Sequence, residues 1–232
     1  GLAVFGTNSE ASSLSVYEKI VLLDTLIEAG LDPARMMPGT GCCALPDTVR
    51  LTAHAVKLGC GGALMLPPFY YKNISDEGLF RSYAEVIERV GDARLRVYLY
   101  HFPQMSQTPL SLDLIERLLK AYPEIVAGIK DSSGDWSNTQ AMLERFPGWG
   151  VFAGSESRLV DTMRLGGRGC ISATCNINPA AIVRLRADWA TPESVAQQTA
   201  CNEIREIIAK FPMIAGLKAT VARLSNDPDW SR

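Results

Sequence analysis

The chain has 232 residues, of which 47% are hydrophobic and 21% charged, and its formal net charge is −2. This composition is ordinary for a globular protein that buries a sizeable core. A slightly acidic chain suits neither a nucleic acid nor an anionic membrane surface, so we expect neither as a partner. No apolar run approaches the ~18 residues of a membrane span, and no signal or transit segment is visible.

Six cysteines occur without zinc or CxxC spacing. They are Cys42, Cys43, Cys60, Cys170, Cys175 and Cys201. Most lie in apolar or glycine-rich stretches, which is typical of reduced thiols in the cytosol. We therefore expect a cytoplasmic protein with no metal site.

The first half of the chain alternates short apolar strands with amphipathic helices. Serine and aspartate before the apolar runs predict helix starts, and Ser15 with Glu18 forms a capping box. The predicted elements are the end of a strand at 2–5, a turn at 6–10, a helix from Ser15 to Gly30, a strand at 36–37, a helix over 48–58 capped by Asp47, a strand at 62–66, a helix at 76–90, a strand at 95–100, and a helix to Ala121 capped by Ser111.

The central stretch is the apolar run 125–130, which ends in Lys130 before the chain turns at 132–134. Two β-branched residues in a short apolar run indicate a buried strand. A lysine at the tip of such a strand loses hydration, and desolvation favours the neutral amine that Schiff-base chemistry requires. The alternative is an ordinary strand-end lysine whose ammonium reaches water.

The second half continues the alternation. Its predicted elements are a helix at 136–146, a strand at 150–153, a helix at 157–165, a strand at 170–173, a helix opening at Pro179, and helical stretches at 192–210 and 216–224.

Strands that alternate with helices through short loops predict a parallel sheet covered by helices, of the α/β class. An open doubly wound sheet would carry a GxGxxG turn after its first strand, and the glycines at 59–62 precede a strand instead. We therefore predict a (β/α)8 TIM barrel with a C-terminal helical extension. Seven strands are countable, so the first β/α unit is expected to be absent from this chain. The expected domains are a barrel over 1–178 and a helical region over 179–232.

Polar and aromatic residues recur at the carboxyl ends of the predicted strands, and in a barrel these ends converge on the face that carries the active site. They include Thr7 and Asn8, Tyr70 and Tyr71, Tyr100 and His101, Lys130, Gly154 to Glu156, and Ser172. An amine, phenols and hydroxyls at one face suit imine chemistry, since a tyrosine moves protons and a threonine relays them. These residues also have structural interpretations. Tyr100 fits a core tyrosine, Gly39 and Gly154 fit turn glycines, and Asp131 and Glu156 fit structural carboxylates. The role of His101 is ambiguous.

Five motifs occur in order along the chain: GTNSE at 6–10, PFYY at 68–71, YHFP at 100–103, GIKD at 128–131 and LGGRGCIS at 165–172. Together they resemble the dihydrodipicolinate synthase / N-acetylneuraminate lyase family over nearly the whole chain. The resemblance implies a (β/α)8 barrel followed by C-terminal helices, a homo-oligomer that is a tetramer in the family, and no organic cofactor or metal.

The resemblance also implies catalytic roles. Lys130 matches the lysine that forms an imine with pyruvate or a related 2-oxo acid, and Tyr100 matches the tyrosine that shuttles protons there. Thr7 matches the hydroxyl that links this tyrosine to a second one. That second tyrosine matches Tyr70, which in the family reaches across a subunit interface; interface packing alone is the alternative.

Substrate-binding positions follow from the same resemblance. The backbone amides of Thr7 and Asn8 would hold the carboxylate of the 2-oxo acid, and Gly154 and Ile171 match positions that line its pocket. Met105 stands where the synthase pattern Tyr-Asn-x-Pro-x-Arg has the arginine that binds the carboxylate of aspartate semialdehyde. Methionine makes no such charged contact, although Arg158 or another basic residue could replace it.

The resulting prediction is a class I lyase or aldolase acting on a small-molecule 2-oxo acid and an aldehyde, with the imine on Lys130 as electron sink. The alternatives are 4-hydroxy-tetrahydrodipicolinate synthase itself, an aldolase or dehydratase of a 2-keto-3-deoxy sugar acid, and a keto-acid-binding protein without turnover.

Overall fold

The computed structural model describes residues 1–231. The chain packs as two compact units, one over residues 1–133 and one that begins at Gly134. In the described residues, no helix combines the length and apolarity needed to cross a membrane. The expected domain boundary between residues 178 and 179 stays a prediction.

The first unit contains three parallel strands and five α-helices. They are α1 Val16–Glu28, α2 Leu45–Lys57, β1 Ala63–Met65, α3 Asp76–Val90, β2 Val97–His101, α4 Pro103–Ser106, α5 Leu112–Ala121 and β3 Val126–Asp131. Strand β1 pairs with β2, and β2 pairs with β3 after a register shift at Val97/Tyr98. All three strands are buried almost throughout, as expected for a parallel sheet that is covered on its faces.

The two segments before β1 pair less extensively than predicted. In place of strands at 2–5 and 36–37, the structure has isolated parallel bridges, Leu2 with Met36 and Gly39 with Leu64. Phe5 has a φ of +59°, which ends any extended run at that point. Gly39 is required here by close approach, because a Cβ on it would lie 2.1 Å from the Phe5 carbonyl oxygen.

The predicted helix caps of this unit are mostly confirmed. The Ser15 hydroxyl accepts from the Glu18 amide, and the Glu18 carboxylate accepts from the Ser15 amide. Ser111 caps α5 by accepting from the Leu114 amide. The cap at Asp47 is wrong, since α2 begins at Leu45 and Asp47 lies inside its first turn. Pro46 fits that turn because the amide it lacks needs no partner there.

The described part of the second unit contains two parallel strands and five α-helices. They are α6 Trp136–Arg145, β4 Gly150–Ala153, α7 Leu159–Arg164, β5 Gly169–Cys170, α8 Pro179–Ala187, α9 Ser194–Ala209 and α10 Met213–Ser225. Ala153 pairs with Cys170 in the register of β4 and β5. A cluster of buried apolar residues joins α7, α8 and α9 around Leu159 and Leu185.

Two elements of this unit differ from their predictions. The strand predicted over 170–173 is shorter, because the chain turns into a 3₁₀ helix at Ala173–Asn176. The helix predicted over 157–165 begins as a 3₁₀ turn, Glu156–Arg158, and becomes α-helical only at Leu159. At the first place Ser172 and Thr174 donate to the buried Glu156 carboxylate, and at the second the Ser155 hydroxyl accepts from the Ser157 amide. Such side-chain bonds favour turns, and hydrophobic periodicity does not report them.

Candidate active site

Lys130 and Tyr100 are adjacent because the parallel register of β2 and β3 sets them opposite each other. Lys130 is only 7% exposed, and its Nζ donates a hydrogen bond of 3.1 Å to the Tyr100 hydroxyl. The same nitrogen lies 4.3 Å from the centre of the Tyr100 ring, within cation–π distance. The first unit therefore contains a nearly buried amine that is hydrogen-bonded to a phenol.

Thr7 extends this contact into a chain of three polar groups. Its Oγ1 lies 3.3 Å from the Tyr100 hydroxyl, and either oxygen can donate. A 3₁₀ helix, Thr7–Ser9, carries both Thr7 and the partly buried Asn8. The Tyr100 ring stacks on Phe102 with centroids 5.7 Å apart, which holds the phenol in place. The series Thr7–Tyr100–Lys130 has the connectivity of a proton relay.

His101 and Asp131 form the next register pair after Tyr100 and Lys130. His101 is buried, and its Nδ1 accepts a hydrogen bond of 3.1 Å from the Leu110 amide. Burial lowers the pKa of His101, while the charge of Asp131 opposes that shift. A neutral imidazole thus ties Leu110 to the strand end. Sequence reasoning left His101 open because the amide it accepts from is nine residues away.

Met105 and Tyr70 lie on two segments that are joined to each other by hydrogen bonds. Met105 is in the short helix α4, with 60% of its surface exposed. The Lys72 ammonium donates to the Ser106 carbonyl at 3.2 Å, and the Thr108 hydroxyl donates to the Pro68 carbonyl at 3.3 Å. These bonds join segment 68–72 to segment 106–108. Helix α4 was not predicted, because four residues are too few for a periodic pattern.

Tyr70 itself is an exposed residue in this chain. It is 71% exposed and Tyr71 is 75% exposed, and the two rings meet edge to face at 5.3 Å. The structure thus brings Thr7, Tyr100 and Lys130 together and leaves the Tyr70 ring at the surface of the first unit. Paired exposed aromatic rings are typical of a surface that a partner covers.

In the second unit, Gly154 directly follows β4 and Ile171 directly follows β5. The Ile171 amide donates to the Ala153 carbonyl at 2.9 Å, so the two strand ends are in contact. Glu156, two residues beyond Gly154, is 1% exposed and accepts hydrogen bonds from Ser172, Thr174 and Arg205. The sequence pointed to Gly154 and Glu156 by their place after a strand, whereas nothing in it pointed to Arg205.

Arg158, the alternative carboxylate-binding residue, is engaged within its own unit. Its guanidinium forms an ion pair with Asp161 at 3.2 Å and lies 5.4 Å from the ring centre of Trp136. Within residues 1–231, no group of three or more histidine, cysteine or acidic side chains is arranged to hold a metal ion.

The parallel α/β fold sets a lysine amine beside a phenol on adjacent strands, a pairing that suits imine chemistry. The chain belongs to the dihydrodipicolinate synthetase family, whose sequence model matches residues 1–227. The predicted family and its lyase class are therefore confirmed.

Individual relatives agree with this assignment. A protein named an uncharacterized DapA-like lyase from Chloroflexus aurantiacus is 30% identical over 230 residues, which cover 99% of this chain and 76% of the relative. Several proteins named 4-hydroxy-tetrahydrodipicolinate synthase also match, but the alignments span only 58% to 69% of their lengths.

Solved structures are similar over nearly the whole chain. Dihydrodipicolinate synthase from Agrobacterium tumefaciens superposes with a TM-score of 0.89 at 31% identity, covering 99% of this chain and 78% of that one. YagE from E. coli K12, solved in complex with pyruvate, gives a TM-score of 0.86 at 26% identity, covering 95% and 76%. The predicted fold class, a (β/α)8 barrel with C-terminal helices, is confirmed by these similarities.

Proposed function

We propose that this protein is a Schiff-base-forming lyase or aldolase that acts on pyruvate or a related 2-oxo acid, with Lys130 as the nucleophile. The observation that carries the proposal is the 3.1 Å hydrogen bond from the nearly buried Lys130 amine to the Tyr100 hydroxyl. A catalytic amine of this kind needs low hydration and an adjacent group that exchanges protons. Family membership and a relative solved with pyruvate support the same chemistry.

Imine formation follows from these positions. The neutral Lys130 amine attacks the keto carbon of the 2-oxo acid and forms a carbinolamine. Tyr100 then donates a proton to the carbinolamine hydroxyl, which leaves as water, and the C=N bond forms. The Thr7 hydroxyl donates a hydrogen bond to the resulting Tyr100 phenolate through their 3.3 Å contact. Lys130 and Thr7 both lie within hydrogen-bond reach of the Tyr100 hydroxyl, which supports these roles.

The carbon–carbon step uses the imine as the electron sink. The Tyr100 phenolate takes a proton from the carbon next to the imine, which gives an enamine. This carbon attacks the carbonyl of an acceptor aldehyde, and the aldehyde oxygen takes the proton from Tyr100. Hydrolysis of the resulting imine releases the product and regenerates Lys130; cleavage is the reverse sequence. Because the imine accepts the electron pair, we propose that no metal or organic cofactor takes part.

The binding roles remain part of the proposal. The backbone amides of Thr7 and Asn8 hold the carboxylate of the 2-oxo acid, and Gly154 and Ile171 line its pocket. Tyr70 completes the relay from a neighbouring subunit of a homotetramer, which agrees with its exposure in this chain. A cytoplasmic location follows from the cysteine content.

Met105 favours an acceptor that is neutral or weakly acidic. It occupies the place of the synthase arginine, and Arg158 is already paired with Asp161. The alternatives, in order, are the synthase itself with its arginine supplied from elsewhere, an aldolase or dehydratase of 2-keto-3-deoxy sugar acids, and a keto-acid-binding protein that lacks turnover.

Borohydride trapping tests the proposal. Sodium borohydride added with pyruvate should reduce the imine and leave a stable mass on the peptide that contains Lys130. Lys130→Ala should abolish the label. Lys120→Ala, which alters an exposed lysine paired with Glu116, should keep it. A label at another lysine, or none in the unaltered protein, would refute the proposal, and aldehyde-dependent turnover separates an enzyme from a binding protein.

A further inference from the structure

A polar cluster lies just beyond β4 and β5, and it is formed by Glu156, Ser172, Thr174 and Arg205. One carboxylate oxygen of Glu156 accepts from the Ser172 hydroxyl and from Arg205 Nη1 at 3.3 Å, and the other accepts from the Thr174 hydroxyl. Arg205 Nη1 also donates to the Ser172 oxygen at 3.2 Å. With Glu156 1% exposed, every carboxylate contact that the structure gives is made inside the cluster.

Burying a carboxylate is unfavourable unless it is paired and hydrogen-bonded, so removing one partner leaves a poorly compensated charge. Arg205 is the positive charge of this cluster, and it comes from α9, 49 residues further along the chain. Helix α9 makes a second contact with this residue, in which Gln198 donates a hydrogen bond of 2.9 Å to the Glu156 backbone carbonyl. The helix therefore fixes both the side chain and the backbone of Glu156.

The cluster adjoins two backbone positions that the proposed function uses. Gly154 precedes Glu156 by two residues, and Ile171 immediately precedes Ser172. The Ile171 amide bonds to the Ala153 carbonyl at 2.9 Å, which couples the two strand ends directly. Glu156 and Ser172 are therefore joined to Gly154 and Ile171 through one or two residues of backbone.

We propose that Arg205 is a positioning residue for the 2-oxo acid pocket, which it shapes through Glu156 and Ser172 by holding the turns that carry Gly154 and Ile171. This inference rests on the proposed function, because it assigns a purpose to the same pocket. Arg205 acts through Glu156 and Ser172, because these are the side chains that its guanidinium contacts. The C-terminal helices thereby contribute to substrate affinity.

The side chain at 205 must present one nitrogen to two oxygens in a fixed geometry. A planar guanidinium meets that requirement, whereas a lysine ammonium retains the charge without the fixed fork. Loss of the charge-assisted bonds should loosen the pocket before it affects the reactive amine. The expected signature is a weaker affinity for the 2-oxo acid at a nearly unchanged maximal rate of imine formation.

The experiment measures borohydride trapping as a function of pyruvate concentration. We expect Arg205→Met to raise the half-saturating concentration about tenfold or more, as loss of a charge-assisted hydrogen bond implies. Its maximal trapping rate should stay within about threefold. Arg205→Lys should give an intermediate value. Arg184→Met, which removes an exposed arginine from α8, should behave like the unaltered protein.

A double variant shows whether Arg205 acts through Glu156. Arg205→Met with Glu156→Gln removes the pair without leaving a buried charge, so it should be no worse than Arg205→Met alone. If Arg205→Met does not fold, the double variant and Arg205→Lys provide the same comparison. Unchanged half-saturation in these variants, or additive effects of the two substitutions, would overturn the inference. Failure of the unaltered protein to trap pyruvate would instead overturn the proposed function, and this inference with it.

Discussion

Tyr100 and Lys130 lie opposite each other on adjacent parallel strands, with the lysine Nζ 3.1 Å from the phenol oxygen. Side chains alternate along a strand, so a shift of one residue in this register would turn Lys130 away from Tyr100. The contact is therefore a consequence of how β2 and β3 pair. The buried residues that hold the two strands in this register also hold the lysine Nζ beside the phenol oxygen.

Tyr100→Phe should slow turnover by roughly 10²- to 10⁴-fold, the usual consequence of losing an acid–base group. The substitution keeps the ring on Phe102 and removes only the hydroxyl that contacts Lys130 and Thr7. Steady-state kinetics with any accepted aldehyde measures the effect. Tyr98→Phe alters another tyrosine of β2, whose ring lies against Gly62, and serves as the control. Normal turnover in Tyr100→Phe would make Tyr100 a packing residue.

Thr7→Val should reduce the rate of imine formation by about tenfold, less than Tyr100→Phe, because a hydroxyl at 3.3 Å assists the relay without touching the amine. Thr7→Ser retains a hydroxyl and should restore most of the rate. Rapid-mixing trapping with borohydride reports the difference. Equal rates in the valine and serine variants would remove Thr7 from the relay.

Tyr70→Phe tests the role that the resemblance implies for the exposed loop. If the Tyr70 hydroxyl completes the relay in a neighbouring subunit, turnover should fall by at least about tenfold while the molecular mass in solution is unchanged. Tyr71→Phe is the matched control, because both rings are similarly exposed and in contact. Light scattering should give a tetramer; a fully active monomer would contradict the prediction.

Met105→Arg should increase activity with pyruvate and aspartate semialdehyde by roughly 10- to 100-fold. A hydrogen bond to a charged group contributes ~1.5–3 kcal/mol, and each 1.4 kcal/mol is a factor of ten. The exposed position of Met105 on α4 leaves room for the longer side chain. Met105→Leu should leave the low activity as it is. Efficient synthase turnover by the unaltered protein would refute the underlying substrate argument.

Protonation of His101 should make the stability depend on pH. Burial lowers its pKa below the ordinary 6.5, so between the lowered value and about 6.5 the unfolded chain binds more protons than the folded one. The contribution to stability is complete above about pH 6.5 and is lost as the pH falls toward the folded pKa. Urea unfolding over this range measures the slope.

His101→Asn provides the comparison for this pH dependence. The amide oxygen of asparagine can still accept from the Leu110 amide but does not titrate, so the slope below about pH 6.5 should flatten. His54→Gln, which removes the other histidine and its contact with Asp24, should retain the slope. An unchanged slope in His101→Asn would assign the pH dependence to other groups.

Local features were predicted well where a short pattern determines them. The Ser15–Glu18 capping box, α3 over Asp76–Val90 and β4 over Gly150–Ala153 agree with the predicted bounds. Each depends on a cap or an apolar period within a few residues. The errors at Asp47 and at 170–173 occurred where Pro46 or a distant side chain competed with that local signal.

The sequence by itself determined the alternating α/β plan, the family, and the strand-end position of Lys130, because strand periodicity and ordered motifs are properties of neighbouring residues. Only the tertiary structure decided that the Tyr100 phenol contacts both Lys130 and Thr7, that His101 ties Leu110 to the strand, and that Arg205 pairs with Glu156. These partners are nine to 93 residues apart. Their contacts arise from strand register and helix packing, which depend on the whole fold rather than on any local pattern.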